Sequence, residues 1–418
     1  MADPQSIRAG KASRFGTAEG VLTPRWQYHP KNWRPTITYV GFSPTWGSQS
    51  LTETLAEGRR PWFRSQRGWH GGGCVTTDGH RLQLRPTDHA RVESLSAYLA
   101  RRDVQAYLVG GAIRDALLGR HVEDVDIAVP VGAMRPIQAW ARRQGRPAIS
   151  LHNAPPTRRV TFEDGFVIDI AAFRGETLEE DLRLRDFTVN AIAAPFEVVS
   201  EDLTGVLIDP CGGVEDLRLR RLRECSARSL DDDPLRMLRA FRLSATHSLR
   251  IYERTLTGIR ERVSKIDDVA WERVREEFMK LLATGRSYAS LRAMDGIGLL
   301  ERLLPEITAM KGAPQNRFHH LDVWEHTLDA IDRFEREPVP PTLGWLATEF
   351  SEYLSENRGQ ATPMVALLKS ALLLHDCAKP TTRTVDESGR VRFRSDQKPA
   401  HAAGRPPAVP RPEACPCC

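Results

Sequence analysis

Residues 124–126 read Asp-Val-Asp inside the stretch "EDVDIAVP". The β-branched and apolar neighbours make this a strand. A strand's side chains alternate between faces, so Asp124 and Asp126 fall on the same side. Like charges side by side are unfavourable unless something positive sits with them. Just upstream, "AYLVGG" reads as a strand running into a diglycine turn, and "AIRDALLG" as a helix closed by Gly119. A chain with this strand–turn–helix–strand order needs a sheet, and one face of that sheet must manage two carboxylates.

The rest of the 418 residues sets the scale. That length suggests two or three domains. Composition is that of a water-soluble chain, 41% hydrophobic and 27% charged, with no apolar run long enough for a membrane span. The N-terminus lacks a signal-peptide core, and seven scattered cysteines do not form a disulfide framework. A cytoplasmic protein with reduced thiols is expected. Net charge is +5. Residues 1–90 hold twelve Lys/Arg against six Asp/Glu, a net of +6, so the remainder sits at −1. Any nucleic-acid surface in the main body must be local.

Residues 1–88 are Gly-, Pro-, Ser- and Arg-rich and carry five of the nine tryptophans, with no sustained period of 3.6 or 2. They read as a basic, disordered extension or as upstream sequence translated from a misplaced start. A basic segment interleaved with aromatics can also stack on single-stranded nucleic acid. From Asp88 the texture changes. "HARVESLSAYLARR" has helical spacing, and "RRVTFEDGFVIDIAAF" is a hairpin turning at Asp164-Gly165. Residues 89–213 form a mixed head domain, and 214–310 read as nearly all helical. A second helical unit spans 318–400, and 401–418 is a Pro/Ala-rich tail ending in "CPCC". Three thiols in four residues cannot easily surround one zinc ion. The fold class expected is α+β.

Asp169 lies in the strand "FVIDIAAF", so Asp124, Asp126 and Asp169 make three carboxylates on strands of one sheet. Such a set can hold divalent cations; Mg²⁺ prefers oxygen ligands and substrate phosphates. Alone, the Asp-Val-Asp pattern equally describes a strand end with solvated aspartates. Gly110 and Gly111 would let backbone approach a phosphate, with Arg114 adding a bidentate contact. "LEEDLRLRDFTVNAIA" reads as one helix from Leu178 to Ala193, placing Arg185, Asp186 and Asn190 together. They suit a triphosphate and a ribose hydroxyl, or a salt bridge at a helix N-terminus. In "DDDPLRMLRAFRL", Asp233, Arg236, Arg239 and Arg242 recur every third residue along a helix. Asp233 and Arg236 could read a base edge and the later arginines phosphates; an ordinary exposed basic stripe would look the same.

Taken in order, "LVGGAIRD", "EDVDIA", "DLRLRDFTVNAIA", "DPCGGVEDL" and "DDPLRMLRAFR" resemble the class II tRNA nucleotidyltransferases, the CCA-adding enzymes and their relative bacterial poly(A) polymerase. The resemblance covers residues 88–305. It implies a polymerase-β-like head, a helical neck and an RNA-binding body. It also implies template-free addition of CMP and AMP, from CTP and ATP, to the tRNA 3′ end with release of pyrophosphate. It places the Mg²⁺ ligands on Asp124 and Asp126. Nucleotide binding falls on Gly111, Arg114, Arg185, Asp233, Arg236, Arg239 and Arg242, with Asp233 and Arg236 as protein template. The sequence departs from the pattern at Leu184, where the family often has arginine, and at Asp232, where it often has glutamate. The passage from "AAF" to "LEEDL" is also short, where many CCA-adding members carry a longer loop that helps the switch to adenine. A CC-adding specialist or a poly(A) polymerase is the alternative. The intact aspartate pair argues against an RNA-binding protein with a dead head.

"NRFHHLDVWEHTLDAI" and "LLLHDCAKP" resemble an HD phosphohydrolase domain, with His326, His375 and Asp376 as its metal set and His375-Asp376 on one helix. The imidazoles suit a transition metal. A further aspartate ligand is expected downstream, where the chain instead turns proline-rich, so weak metal binding and a packing or tRNA-contacting role are expected.

Overall fold

The computed structural model describes residues 81–198, 202–203, 205–315, 320–355, 362–387 and 391–393. The expected basic extension, apart from its last eight residues, lies outside them, as does the tail with Cys415, Cys417 and Cys418. Helix α1 (Pro86–Ala100) starts on a proline, which suits a first turn that needs no N–H. It buries Val92, Leu95 and Leu99, and Leu82 ahead of it is buried too. The folded head therefore begins before residue 89, earlier than composition suggested.

The head continues through β1 (Tyr107–Val109), α2 (Gly111–Leu117), β2 (Asp124–Val129), α3 (Met134–Arg143) and β3 (Ile149–Asn153). It is completed by β4 (Pro156–Thr161), β5 (Val167–Ala172), α4 (Leu178–Arg183) and β6 (Ala193–Pro195). The sheet order is β3-β4-β5-β2-β1-β6. Only β2 and β5 run parallel; the other neighbours are antiparallel. The β4–β5 hairpin turns at Asp164-Gly165, with Gly165 at φ +87°. Strand alternation divides the sheet. Leu108, Val125, Ile127, Ile168 and Ile170 enter the main core. On the opposite face, Val109, Ala128 and Ala193 join a small cluster with Phe173, Leu178 and Leu182. Asp124, Asp126 and Asp169 share the strand parity of that second face.

The single helix expected over Leu178–Ala193 is not formed. Helix α4 ends at Arg183, a short 3₁₀ turn covers Thr188–Asn190, and β6 follows. Phe187 takes an extended backbone and is fully buried, and the Asp186 carboxylate accepts its N–H at 2.8 Å. Core burial of Phe187 and a side chain competing for the backbone donor outweigh the weak helix propensity of Thr188 and Val189.

Next come α5 (Gly213–Arg218), β7 (Arg221–Leu222), α6 (Ser229–Asp232), α7 (Leu235–His247) and β8 (Arg250–Ile251). The neck and body continue with α8 (Glu253–Arg262), α9 (Trp271–Leu282), α10 (Ser287–Gly296), α11 (Leu299–Leu303) and α12 (Ile307–Met310). The β7–β8 parallel pair corrects the all-helical expectation for 214–310. Helix α7 buries Met237, Leu238, Phe241 and Ala245 and packs along α9. The C-terminal elements are α13 (Val323–Arg336), α14 (Ala347–Ser355), α15 (Met364–Leu374), α16 (Lys379–Thr382), β9 (Arg383–Val385) and β10 (Val391–Phe393). They share the neck's core: Trp324, Leu328, Ile331, Ala366 and Leu373 belong to the same cluster as Phe241 and Leu281. No helix among the described residues is long and apolar enough to cross a membrane.

Candidate active site

The parallel ladder pairs Asp126 of β2 with Asp169 of β5 in direct register, and Asp124 lies one pleat away on the same face. Burial, followed by the charge of Asp124, pushes the Asp126 carboxyl up to about 6, although Arg185 pulls the other way. Burial and the charge of Asp169 also push Asp124 up. Asp169 is gripped by Arg159 through two hydrogen bonds of 2.8 and 2.6 Å. With Asp169 held by Arg159, Asp124 and Asp126 leave carboxylate oxygens on one face, a hard donor set that fits a divalent cation of the Mg²⁺ type.

Gly110 makes the approach to this face. Its φ of +74° and ψ of −131° belong to a region that side chains rarely enter. A Cβ there would stand 3.3 Å from both Asp126 Oδ2 and Arg185 Nη1. Arg185 is itself steered by Asp181, which accepts from its Nε and Nη2 at 3.1 and 2.9 Å. Gly111 opens α2, with the Arg114 guanidinium lying over it. Arg114 does not reach outward as the sequence suggested. It is buried and donates to Asn190 Oδ1 at 2.6 Å and to Asp115.

Asn190 in turn donates to Asp186 at 3.1 Å, and Asp186 accepts a charged contact from Arg239, also at 3.1 Å. Asp186 and Asn190 are thus together although no helix joins them. Burial alone would push Asp186 up, but Arg239, Asn190 and the Phe187 N–H hold its carboxyl below the ordinary range. The chain Arg114–Asn190–Asp186–Arg239 ties α2 of the head to α7 of the neck.

The stripe on α7 is not an ordinary exposed basic face. Asp233 precedes the helix in extended conformation, accepts from Leu235 N at 3.3 Å and pairs with Arg273 of α9 at 2.8 Å. Arg236 donates to the Ser229 hydroxyl and carbonyl and to the carbonyls of Leu184 and Arg185. Arg242 pairs with Glu277. The sequence reading missed Arg159, Asp181, Ser229, Arg273 and Glu277. Arg159 had a signal: it stands opposite Asp169 in a hairpin centred on Asp164. The others depend on packing between distant segments.

In the C-terminal unit, His326 of α13 approaches His375 and Asp376, which follow α15 and are not within it. His375 Nε2 lies 3.1 Å and His326 Nε2 3.9 Å from Asp376 Oδ2. Their ligand atoms fall within 4.8 Å of one another. Lys379 Nζ is 2.7 Å from the same carboxylate oxygen and competes with any cation for it.

Residues 106–223 match the family described as "Poly A polymerase head domain", and 248–311 match "Probable RNA and SrmB- binding site of polymerase A". A CC-adding tRNA nucleotidyltransferase of Synechocystis sp. is 45% identical over 197 residues, covering 46% of this chain and 46% of that protein. An A-adding tRNA nucleotidyltransferase of Deinococcus radiodurans is 36% identical over 294 residues, covering 69% and 60%. The chain therefore spans only about half of these relatives' lengths. Among solved structures, a tRNA nucleotidyltransferase complexed with a primer tRNA and an incoming ATP analog superposes with a TM-score of 0.52 at 25% identity, covering 68% of this chain and 75% of that one. A tRNA-processing enzyme with CTP also gives 0.52, at 26% identity, with 68% and 70% covered. With this head sheet and this neck helix, the chain is similar to polymerase A over residues 106–223 and 248–311, and to tRNA nucleotidyltransferases across its head and neck.

Proposed function

We propose that the chain is a Mg²⁺-dependent enzyme that transfers CMP and AMP from CTP and ATP to the tRNA 3′ end. The observation that carries this reading is the Asp126–Asp169 register, with Asp124 on the same face and Arg185 beside Gly110. Asp124 and Asp126 would hold the ion. When bound, Mg²⁺ supplies charge neutralisation on the triphosphate and activation of the primer hydroxyl. Asp169, kept in place by Arg159, would accept a hydrogen bond from the attacking hydroxyl. Gly110 and Gly111 let the triphosphate lie close to backbone, and Arg185 takes charge on its oxygens. Asp233 and Arg236 offer an acceptor and a donor set to the base edge. Arg239 and Arg242 carry positive charge along the same helix. His326, His375 and Asp376 form an HD-type cluster whose occupancy by a transition metal is weak, because Lys379 already neutralises Asp376.

The activity is tested by incubating the protein with labelled CTP, ATP and a tRNA lacking its 3′ end, with and without a chelator. Chelator-sensitive extension by C, C and A is expected, and no incorporation would sink the reading. A stop after two cytidines is the second reading. It is favoured by the connection between β5 and α4, only residues 173–177. For the template, Arg236→Ala should lose about 1–3 kcal/mol of discrimination between CTP and UTP, by analogy with bidentate base readout. Unchanged selectivity in competition assays would remove Arg236 from the template.

A further inference from the structure

Two cysteines pack against the small apolar cluster on this face of the sheet and have no part in the reaction just described. Cys211 sits in the turn before α5, and Cys225 follows β7 on the segment leading to α6 and the template helix. Both are half-buried free thiols packed against the same apolar cluster as Leu182. The two side chains meet on that cluster, close enough for each to perturb the other. Cys211 Sγ lies 3.9 Å from the Leu182 carbonyl, and the Cys225 N–H donates to the Asp186 carbonyl at 3.2 Å. The pair thus brackets Leu182–Asp186, the stretch that carries Arg185 and Asp186. Arg223 Nη2 also donates to the Cys211 carbonyl at 2.8 Å, pinning the turn to the same segment.

We propose that Cys211 and Cys225 are a peroxide-sensitive dithiol whose oxidation to a disulfide alters the nucleotide site. Cys211 is the attacking thiol, because the neighbouring Cys225 side chain holds its pKa below the ordinary thiol value while the same contact, with burial, pushes Cys225 up. The Cys211 thiolate attacks hydrogen peroxide, the O–O bond breaks, and a sulfenic acid and hydroxide form. The Cys225 sulfur then attacks the sulfenic sulfur, giving the S–S bond and expelling hydroxide. The two thiol protons convert both hydroxides to water. Two thiols lose two electrons in all, and one peroxide is reduced to two waters. Drawing the sulfurs into bonding distance removes the thiol from the Leu182 carbonyl and pulls on the Asp186 carbonyl. Arg185 and Asp186 move with them.

The test uses the full chain with Cys74, Cys377, Cys415, Cys417 and Cys418 changed to Ser, so that only the pair remains. After peroxide, peptide mapping should find the 211–225 linkage, reversed by dithiothreitol. This readout does not depend on whether the protein adds nucleotides. CTP incorporation should fall about 10–100-fold in the oxidised form, the range a small misplacement of binding groups can cost. It should return on reduction and be insensitive to peroxide in Cys225→Ala and Cys211→Ala. Separate overoxidised cysteines without a linkage would overturn the site. A linkage that leaves incorporation unchanged in an active enzyme would overturn its control of the nucleotide site. A circular dichroism spectrum of each variant establishes that it is folded.

Discussion

At Asp126, the ladder places a carboxylate beside two others, so the free chain carries a repulsion that a cation would relieve. Mg²⁺ should therefore raise the melting temperature, and chelation should lower it again. Asp126→Asn should melt higher than wild type without metal, lose the Mg²⁺ response and lose at least about 100-fold in activity, since even outer partners of metal sites matter by 10–100-fold. Differential scanning calorimetry with and without Mg²⁺ checks this, and a wild-type melt indifferent to Mg²⁺ would contradict it. Asp186 has the opposite character. Its folded pKa lies below the ordinary 3.8, so the stability it contributes is present above that value and is lost as pH falls through the folded one. Asp186→Asn removes the charge from the buried end of its pair with the solvent-exposed Arg239 and should cost about 1–3 kcal/mol at neutral pH. Urea midpoints across the acid limb should show the gap from wild type narrowing as pH falls; a constant gap would mean that Asp186 is not the ionised partner of Arg239.

Among the elements, the β1–α2 turn is the one whose backbone shape and chemistry coincide. Gly110→Ala must place a Cβ against Asp126 and Arg185 from a left-handed φ. It should cost about 1–3 kcal/mol of stability, the range for strained backbone positions. Nucleotide incorporation should fall more than stability does. Chemical denaturation and initial rates measured together separate the two, and normal rates would show that the close approach is dispensable. The strands and the hairpin were legible in the sequence because a period of two and an Asp-Gly turn are local signals. The same hairpin symmetry could have named Arg159 as the partner of Asp169. The end of α4 was not legible: Leu178 to Ala193 looks helical until the burial of Phe187 is known. Nor were the partners of the α7 stripe, because Arg273 and Glu277 meet Asp233 and Arg242 only through the packing of α9 on α7.

In the molecule as a whole, one buried ammonium connects the C-terminal helices to the neck. Lys369 of α15 donates to Glu335 of α13 and to the Thr284 carbonyl, both at 2.6 Å, and to the Ser287 hydroxyl at 3.1 Å. Glu335 also accepts the N–H groups of Ser287 and Tyr288 at the start of α10. Lys369→Met should cost about 3 kcal/mol, the low end for breaking a buried pair, because Glu335 keeps its other donors. Guanidinium titration checks the figure, and an unchanged midpoint would show that α15 docks by apolar packing alone. The arginines of the candidate site bear on specificity in another way. Arg185, Arg236, Arg239 and Arg242 all hold internal acceptors, so in the proposed reaction an arriving nucleotide trades places with those acceptors and does not fill a vacuum. A ligand with too few oxygens breaks those bonds and repays only some of them, so affinity should climb steeply from mono- to triphosphate. Because one ion pair is exchanged for another, that affinity should also respond to added salt more weakly than four unpaired arginines would dictate.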